Sequence, residues 1–169
     1  MVIHHYECST EWTGARDHGT IDYRSYDRAY VSRAPGRPDL VGSSDPAFRG
    51  DPSRWNPELL LVAALAQCHL LWYLHLCAVD GVTVLGYRDD TRATMTENGD
   101  DGGRFTQVEL RPVVTVASDE MVDRARELHA EAAARCFIAA SVNFPVTHTP
   151  TIEVDRKSTR LNSSHLGIS

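Results

Sequence analysis

The most apolar stretch of the sequence runs from Leu59 to Val79 and contains no charged residue. Apolar side chains occupy every side of a helical wheel over this stretch, which is typical of a helix that is buried all round. Just before it, Asn56 is a good N-cap, Pro57 suits the first helical position and Glu58 favours the positive end of the helix dipole. The pattern therefore predicts a fully buried helix that starts at Pro57 and ends before Asp80-Gly81.

A stretch of about twenty apolar residues is also long enough to cross a bilayer. The middle of this one, however, holds four polar or ionisable side chains, namely Gln67, Cys68, His69 and His75. Its flanks show no Lys/Arg bias, and no second apolar segment occurs in the sequence. We therefore favour the central helix of a soluble domain and expect no membrane partner.

Strand-like composition precedes the predicted helix. Residues 4–13 and 20–33 are rich in Tyr, Val, Ile and Thr, and the turn from Gly14 to Gly19 lies between them. These features predict an N-terminal hairpin. Residues 34–54 hold four prolines and three glycines and predict a loop that leads to the helix.

Strand-like composition resumes after the helix, at residues 82–97, and residues 105–116 alternate between apolar and polar side chains. With the polar turn at 98–103, they predict a second hairpin. Ser118 then caps a second, amphipathic helix. Its inner face is formed by Val122, Ala125, Leu128, His129, Ala132 and Cys136. Residues 151–154 predict a last short strand.

The length of 169 residues and the hydrophobic content of 42% are enough to bury one sizeable core. We therefore expect a single domain over residues 1–155. Residues 156–169 are polar and lack periodicity. We expect them to form a disordered tail that resembles read-through sequence and is not native to the domain.

The net charge is -6, and acidic and basic residues are interspersed along the chain. This argues against nucleic acid as a partner. Residues 1–5 have neither the basic region nor the apolar core of a signal peptide, so we expect a cytoplasmic protein. Four cysteines in a cytosolic protein suggest reactivity or metal binding before a structural disulfide.

The predicted helices place Cys68 near the middle of the first and Cys136 at the end of the second. One interpretation is that both are buried and act as small hydrophobes. A zinc site is suggested by His75, seven residues after Cys68, and by His129, seven residues before Cys136. Seven residues span about 10.5 Å of helix, too far for one zinc ion with bonds of roughly 2.0 to 2.3 Å. We therefore expect no metal site.

A redox pair requires that two sulfurs come close, that one be a thiolate, and that a cation stabilise it. Cys77 lies nine residues after Cys68, on the opposite face of the same helix, and cannot be its partner. Cys136 can be the partner if the two helices pack together. We expect Cys8, in the N-terminal strand, to be structural or incidental.

Three motifs occur in a characteristic order: Asn56-Pro57-Glu58-Leu59-Leu60, Ala66-Gln67-Cys68-His69 and Cys136-Phe137-Ile138-Ala139-Ala140-Ser141-Val142. With the glutamate ten residues before the first cysteine, they resemble the OsmC/Ohr family of thiol-dependent hydroperoxide reductases. The resemblance covers essentially residues 1–155. The two cysteine motifs together are fairly specific, whereas either one alone would be weak.

The resemblance implies an α+β fold in which two central helices, each carrying a cysteine, are wrapped by antiparallel β-sheets in an intertwined homodimer. It implies a peroxidase that reduces organic hydroperoxides in defence against oxidative stress. Cys68 matches the peroxidatic thiolate, which becomes a sulfenic acid, and Cys136 matches the resolving cysteine, which converts it to a disulfide. An external thiol then reduces the disulfide, and no bound cofactor is expected.

The family also uses a glutamate before the helix and an arginine near the N-terminal hairpin to hold the thiolate and the substrate. Glu58 matches the glutamate, and Arg16 is the best match for the arginine although its turn differs from the commonest family form. Arg28 is the second choice. An unbroken helix would separate Glu58 from Cys68 by about 15 Å. We therefore predict a break between Leu61 and Ala66, which would also give Cys68 the thiolate-stabilising N-terminus of a helix.

Two rival functions remain open. The first is a non-enzymatic protein on the same fold that binds a hydrophobic ligand in an apolar pocket. Trp72, Tyr73 and Phe137 would line a pocket in either case, or would simply belong to the core. The second is a redox sensor that signals to a partner, but the sequence supplies no DNA-reading helix or basic face for it.

Overall fold

The computed structural model describes residues 1–157, which fall into two compact units, Met1–Leu61 and the residues from Val62 onward. Two α-helices and nine strands occur in the described residues, so the predicted α+β class is confirmed. The predicted disordered tail lies, from residue 158 onward, outside the described residues.

The first unit contains an antiparallel sheet of three short strands. They are β1 (Ser9–Trp12), β2 (Tyr30–Arg33) and β3 (Leu40–Gly42). β1 and β2 pair with one another, as predicted for the N-terminal hairpin. They are shorter than predicted, and residues 13–29 connect them. The third was predicted as part of a loop. Three residues between prolines and glycines are too few to show the alternation that marks a strand.

The ring of Tyr30 lies across Gly42, its partner on the neighbouring strand. A Cβ atom at Gly42 would overlap the ring and hydroxyl of Tyr30. The absence of a side chain at Gly42 therefore lets the tyrosine fold over the sheet, with its hydroxyl oxygen buried.

The first helix, α1, spans Pro57–Val79 without interruption. Its start is fixed as predicted, because the side-chain oxygen of Asn56 accepts a hydrogen bond of 2.8 Å from the backbone N–H of Leu59. The break predicted between Leu61 and Ala66 is wrong. Leucine and alanine favour the helix strongly, and neither glycine nor proline occurs after Pro57 within it.

Only one face of α1 is buried, so the prediction of burial on all sides is wrong for the single chain. The buried residues are Leu65, His69, Tyr73, Leu76 and Cys77, whereas Leu71 and Leu74 remain exposed. By length and composition α1 is capable of crossing a membrane, but the core helix of a soluble protein meets the same criteria. An apolar sequence alone does not reveal whether a face packs within the chain or against another molecule.

The second unit contains six strands after α1. They are β4 (Val84–Asp89), β5 (Arg92–Glu97), β6 (Gly103–Leu110), β7 (Pro112–Val116), β8 (Val146–His148) and β9 (Thr151–Val154). They form two three-stranded sheets, β4-β7-β9 and β5-β6-β8. The hairpin β5-β6 confirms part of the predicted second hairpin, whereas the strands predicted at 82–97 and 105–116 are each divided between the two sheets.

The sheets of the second unit are mixed, which corrects the expectation of purely antiparallel sheets. β8 runs parallel to β6, and β9 runs parallel to β7. Both late strands follow a helix, and a parallel pair requires such a crossover connection.

The second helix, α2 (Val122–Arg135), provides the other half of this core. A 3₁₀ turn at Asp119–Met121 precedes it, and the side chain of Ser118 makes no capping hydrogen bond, so the helix starts later than predicted. Its predicted inner face is confirmed at Ala125, Leu128, His129 and Ala132, which are buried. The three apolar residues of this face pack with Tyr73 and Leu76 of α1 and with Val114 and Val116 of β7.

Candidate functional site

The thiol of Cys68 lies close enough to that of Cys136 to raise its pKa. Cys68 lies near the middle of α1 and is partly exposed, and Cys136 is the buried residue that follows the last turn of α2. Both are free thiols. Two sulfurs that are 68 residues apart in the sequence are therefore neighbours in the fold.

Burial, and after it the neighbouring thiol of Cys68, raises the pKa of Cys136 to about 11. The backbone N–H of Ala139 lies 3.4 Å from the Cys136 sulfur and opposes this shift without overcoming it. Cys136 is therefore a protonated thiol at neutral pH. Such a group is suited to attack second, once its partner has become electrophilic, rather than first.

Cys68 opens onto a cavity of about 370 Å³ in the second unit. The cavity is lined by Cys68, Leu71, Trp72, His75 and Phe137, and its surface is almost wholly apolar. The ring of Trp72 meets those of Phe137 and His75 edge to face, with centroids 5.6 and 5.8 Å apart. This volume and lining suit a small organic molecule. Tyr73, which the sequence also suggested for a pocket, is fully buried in the core instead.

A pair of buried histidines joins the two helices that carry the cysteines. The Nε2 atom of His69 on α1 lies 3.0 Å from the Nδ1 atom of His129 on α2, and both residues are fully buried. The sequence gave no sign of this pairing. Residues 60 positions apart in sequence leave no periodic signal that links them.

Arg16, the predicted site arginine, forms an ion pair with Asp27 in the first unit. Its Nε donates a hydrogen bond of 2.9 Å to one carboxylate oxygen of Asp27, and a second nitrogen donates to the other. The hydrogen bond to Arg16 lowers the pKa of Asp27 below its ordinary value. Both side chains are about half exposed. Arg16 also has a positive φ of 50°, which is uncommon for a residue other than glycine.

Arg28, the second choice for the site arginine, is held in place more firmly than Arg16. Its guanidinium carbon lies 4.5 Å from the ring centre of Tyr23 and 4.0 Å from that of Tyr26. The same group donates hydrogen bonds of 2.7 and 2.8 Å to the carbonyl oxygens of these two tyrosines. Stacking and hydrogen bonds together fix it in place.

Glu58 lies in the first turn of α1, and its Oε2 atom is buried without a hydrogen-bond partner among residues 1–157. Burial and the nearby charge of Glu58 raise the pKa of Tyr30, whose hydroxyl also has no partner in that part of the chain. Ten residues of unbroken helix separate Glu58 from Cys68, a rise of about 15 Å. The helix itself therefore does not bring the carboxylate to the thiol of the same chain, as the predicted break would have done.

The remaining cysteines lie elsewhere. Cys8 is exposed just before β1, and Cys77 is buried near the hydroxyl of Tyr73. Burial raises the pKa of Cys77. Within residues 1–157, no group of three or more His, Cys, Asp or Glu side chains is arranged to hold a metal ion.

Comparisons with known proteins identify related families and folds. The family model described as OsmC-like protein matches residues 50–151. The structure resembles that of an OsmC-like protein of unknown function from Vibrio cholerae, with 26% identity, a TM-score of 0.78, and coverage of 88% of this chain and 99% of the other. No curated protein matches the chain by sequence.

Two more distant structures share the fold. One is an organic hydroperoxide resistance protein from Legionella pneumophila, with 17% identity, a TM-score of 0.65, and coverage of 91% of this chain and 100% of the other. The second is an organic hydroperoxide resistance protein from Elizabethkingia anophelis with bound thiocyanate, with 13% identity, a TM-score of 0.65, and coverage of 91% and 99%.

Proposed function

Because the chain belongs to the family of OsmC-like proteins, we propose that it is a thiol-dependent peroxidase that reduces organic hydroperoxides through Cys68 and Cys136. The observation that carries this proposal is the proximity of the two thiols, one of which opens onto an apolar cavity. A reactive sulfur, a resolving sulfur and a space for an organic group are the three parts that such a reaction needs.

In the first step, the thiolate of Cys68 attacks the terminal oxygen of the hydroperoxide. A sulfur–oxygen bond forms, the O–O bond breaks, and the alkoxide leaves and takes up a proton to become an alcohol. The sulfur loses two electrons and the peroxide gains them. Cys68 is then a sulfenic acid.

In the second step, the sulfur of Cys136 attacks the sulfur of oxidised Cys68. The disulfide forms, the sulfur–oxygen bond breaks, and the departing hydroxide leaves as water with the proton that Cys136 releases. The raised pKa of Cys136 supports this order, because its thiol keeps that proton until the second step. An external dithiol then reduces the disulfide and is itself oxidised.

The cavity supports an organic substrate in preference to hydrogen peroxide. Its aromatic rings, Trp72 and Phe137, offer contact to a hydrocarbon group and little hydrogen bonding. The same surface also supports a second candidate function, the binding of a hydrophobic ligand without turnover.

We assign to Arg16 the stabilisation of the thiolate and of the peroxide oxygen, and to Glu58 the orientation of Arg16. This requires Arg16 to leave Asp27. The exposure of that ion pair supports the exchange, because exposed pairs contribute little to stability. The stacked and doubly hydrogen-bonded Arg28 is less free to move.

We further propose that the protein acts in the cytoplasm as a homodimer. The exposed apolar face of α1, which includes Leu71 and Leu74, supports an interface with a second copy. Such an interface would provide the burial that the apolar sequence of α1 predicts.

Titration of free thiols before and after one equivalent of cumene hydroperoxide tests the proposed function. The peroxidase loses two of its four thiols per chain, and a binding protein loses none. Cys68→Ser abolishes the loss, whereas Cys77→Ser, which removes a thiol outside the pair, preserves it. Multiple turnover by the Cys68→Ser variant would rule out the mechanism.

A further inference from the structure

The hydrogen bond between His69 and His129 lies close to both cysteines along the chain. His69 directly follows Cys68 on α1, and His129 precedes Cys136 by two turns of α2. The two imidazole rings are nearly coplanar, with an angle of 7° between their planes. One side-chain bond therefore links the helices on which the two sulfurs are carried.

The surroundings of this pair are closed and aromatic. The ring of Tyr73 stacks on His129 with centroids 3.9 Å apart, and its hydroxyl donates a hydrogen bond of 3.0 Å to the carbonyl oxygen of Ala125 on α2. His148 on β8 stacks on both imidazoles, with centroids 5.7 and 6.2 Å away. The other titratable groups of this region are Tyr87 on β4 and Cys77 on α1, and both lie near Tyr73.

Both imidazoles are neutral at physiological pH. Burial lowers the pKa of His69 to about 4 and that of His129 to about 3, and within residues 1–157 neither has a carboxylate as hydrogen-bond partner. One ring therefore donates through N–H and the other accepts through its lone pair.

The histidine pair contributes less to the stability of the fold than two apolar side chains would. The outward nitrogens, Nδ1 of His69 and Nε2 of His129, are buried without partners among the described residues. Buried polar atoms without partners destabilise a fold, and two well-packed apolar side chains would avoid that cost. What the pair provides that an apolar contact lacks is direction: an N–H···N bond fixes how far and at what angle one helix lies from the other.

We propose that the His69–His129 hydrogen bond is a positioning element that holds α1 and α2 in the register in which Cys136 reaches oxidised Cys68. Disulfide geometry tolerates only a narrow range of distances between the two Cα atoms, and a slip of one residue along a helix is about 1.5 Å. The inference rests on the pairing of Cys68 with Cys136 in the proposed function, but not on the peroxide reaction.

Two double variants distinguish the positioning role of the hydrogen bond from the packing role of the two side chains. His69→Leu/His129→Leu removes the bond. His69→Gln/His129→Asn restores one amide-to-amide bond, because the glutamine amide replaces Nε2 and the asparagine amide replaces Nδ1. Tyr73→Phe is the matched control, since it removes the other side-chain hydrogen bond between α1 and α2 at the same depth.

The measurement is the rate at which diamide closes the Cys68–Cys136 disulfide, followed by alkylation and peptide mapping. Diamide takes two electrons and two protons from a thiol pair, so closure is measured whether or not the protein reacts with peroxides. Cumene hydroperoxide is used in a parallel arm, where slow closure leaves the sulfenic acid of Cys68 open to a second oxidation to sulfinic acid.

We expect the leucine pair to close at least about tenfold more slowly than the wild type, since misplacement by about 1 Å costs that much or more. The glutamine–asparagine pair and Tyr73→Phe should close within about threefold of the wild type. Closure of the leucine pair at the wild-type rate would overturn the proposal. If the leucine pair does not fold, a folded glutamine–asparagine pair that closes tenfold more slowly than Tyr73→Phe overturns it, and one that matches Tyr73→Phe supports it.

The two proposals fail in different ways. A wild type that closes with diamide but keeps all four thiols with cumene hydroperoxide contradicts the peroxidase alone, and the comparison of variants still decides the role of the histidines. A peroxidase whose leucine pair closes normally contradicts only the positioning role.

Discussion

The buried thiol of Cys136 lies near the partly exposed thiol of Cys68, and burial raises the pKa of Cys136. The two neighbouring sulfurs are thus unlike one another. One opens onto an apolar cavity and the other is enclosed at the end of α2. Under the proposed function, this asymmetry would give each sulfur a distinct place in the two-step reaction.

Closure of the disulfide should accelerate with pH. Because the pKa of Cys136 is raised to about 11, its thiolate fraction grows about tenfold for each unit between about pH 7 and pH 9. The second phase of a stopped-flow trace with cumene hydroperoxide reports this rate. The Cys136→Ser variant should show the first phase alone, and a second phase that is constant over this range would contradict the assignment of Cys136 as the attacking group.

Truncation of the cavity wall should weaken the binding of organic peroxides selectively. Phe137→Ala removes a ring that is 69% exposed, so the fold should tolerate the change. Loss of about 1 kcal/mol of apolar contact should raise KM for cumene hydroperoxide about fivefold. Hydrogen peroxide has no group to fill the cavity and should be unaffected.

Leu85→Ala is the control for this prediction, because Leu85 is an exposed apolar residue on β4 that does not line the cavity. Equal losses for the two peroxides, or the same loss in the control, would show that the cavity does not select the substrate.

Replacement of Arg16 should lower kcat/KM, whereas replacement of its ion-pair partner Asp27 should not. Arg16→Gln removes the proposed cation and should lower kcat/KM by about a hundredfold. Asp27→Asn releases Arg16 from its partner and should leave kcat/KM equal or higher. Steady-state kinetics with cumene hydroperoxide measures both. A loss with Arg28→Gln, and none with Arg16→Gln, would instead identify Arg28 as the site arginine.

Acid should destabilise the protein through the buried histidines. Their folded-state pKa values, about 4 for His69 and about 3 for His129, lie below the ordinary value of 6.5. The neutral pair therefore stabilises the fold fully above about pH 6.5, and the stabilisation is lost as the pH falls toward 4 and 3. The free energy of unfolding should fall by up to about 1.4 kcal/mol per pH unit for each histidine.

Urea denaturation at about pH 7.5, 5.5 and 4.5 tests this acid sensitivity. His69→Gln/His129→Asn has no titratable group at these positions and should show a flatter profile, whereas Tyr73→Phe should keep the slope of the wild type. Identical slopes in the wild type and the double variant would place the acid sensitivity elsewhere.

The helices were predictable because their signals are local. Asn56 and Pro57 mark the start of α1, Asp80-Gly81 marks its end, and the inner face of α2 follows from the spacing of its apolar residues. The parallel pairing of β8 and β9 was not predictable, since it depends on contacts between segments far apart in sequence. The break in α1 was inferred from the needs of a site within one chain, and the helix propensity of the sequence outweighs them.

The site was partly predictable for a related reason. The two cysteine motifs and the predicted helices indicated that Cys68 and Cys136 meet, and the structure brings their thiols together. Their chemical roles stay predictions. The His69–His129 bond and the Arg16–Asp27 ion pair were missed, because a side-chain contact between distant positions leaves no pattern in either segment.

Peptide mapping after reaction with one equivalent of cumene hydroperoxide identifies the cysteines that the peroxide oxidises. We expect the chain to lose two hydrogens and to yield a single linked pair of peptides, one containing Cys68 and the other Cys136, while Cys8 and Cys77 remain alkylatable. Four alkylatable cysteines after the reaction, or a disulfide that involves Cys8 or Cys77 instead, would contradict the proposed function.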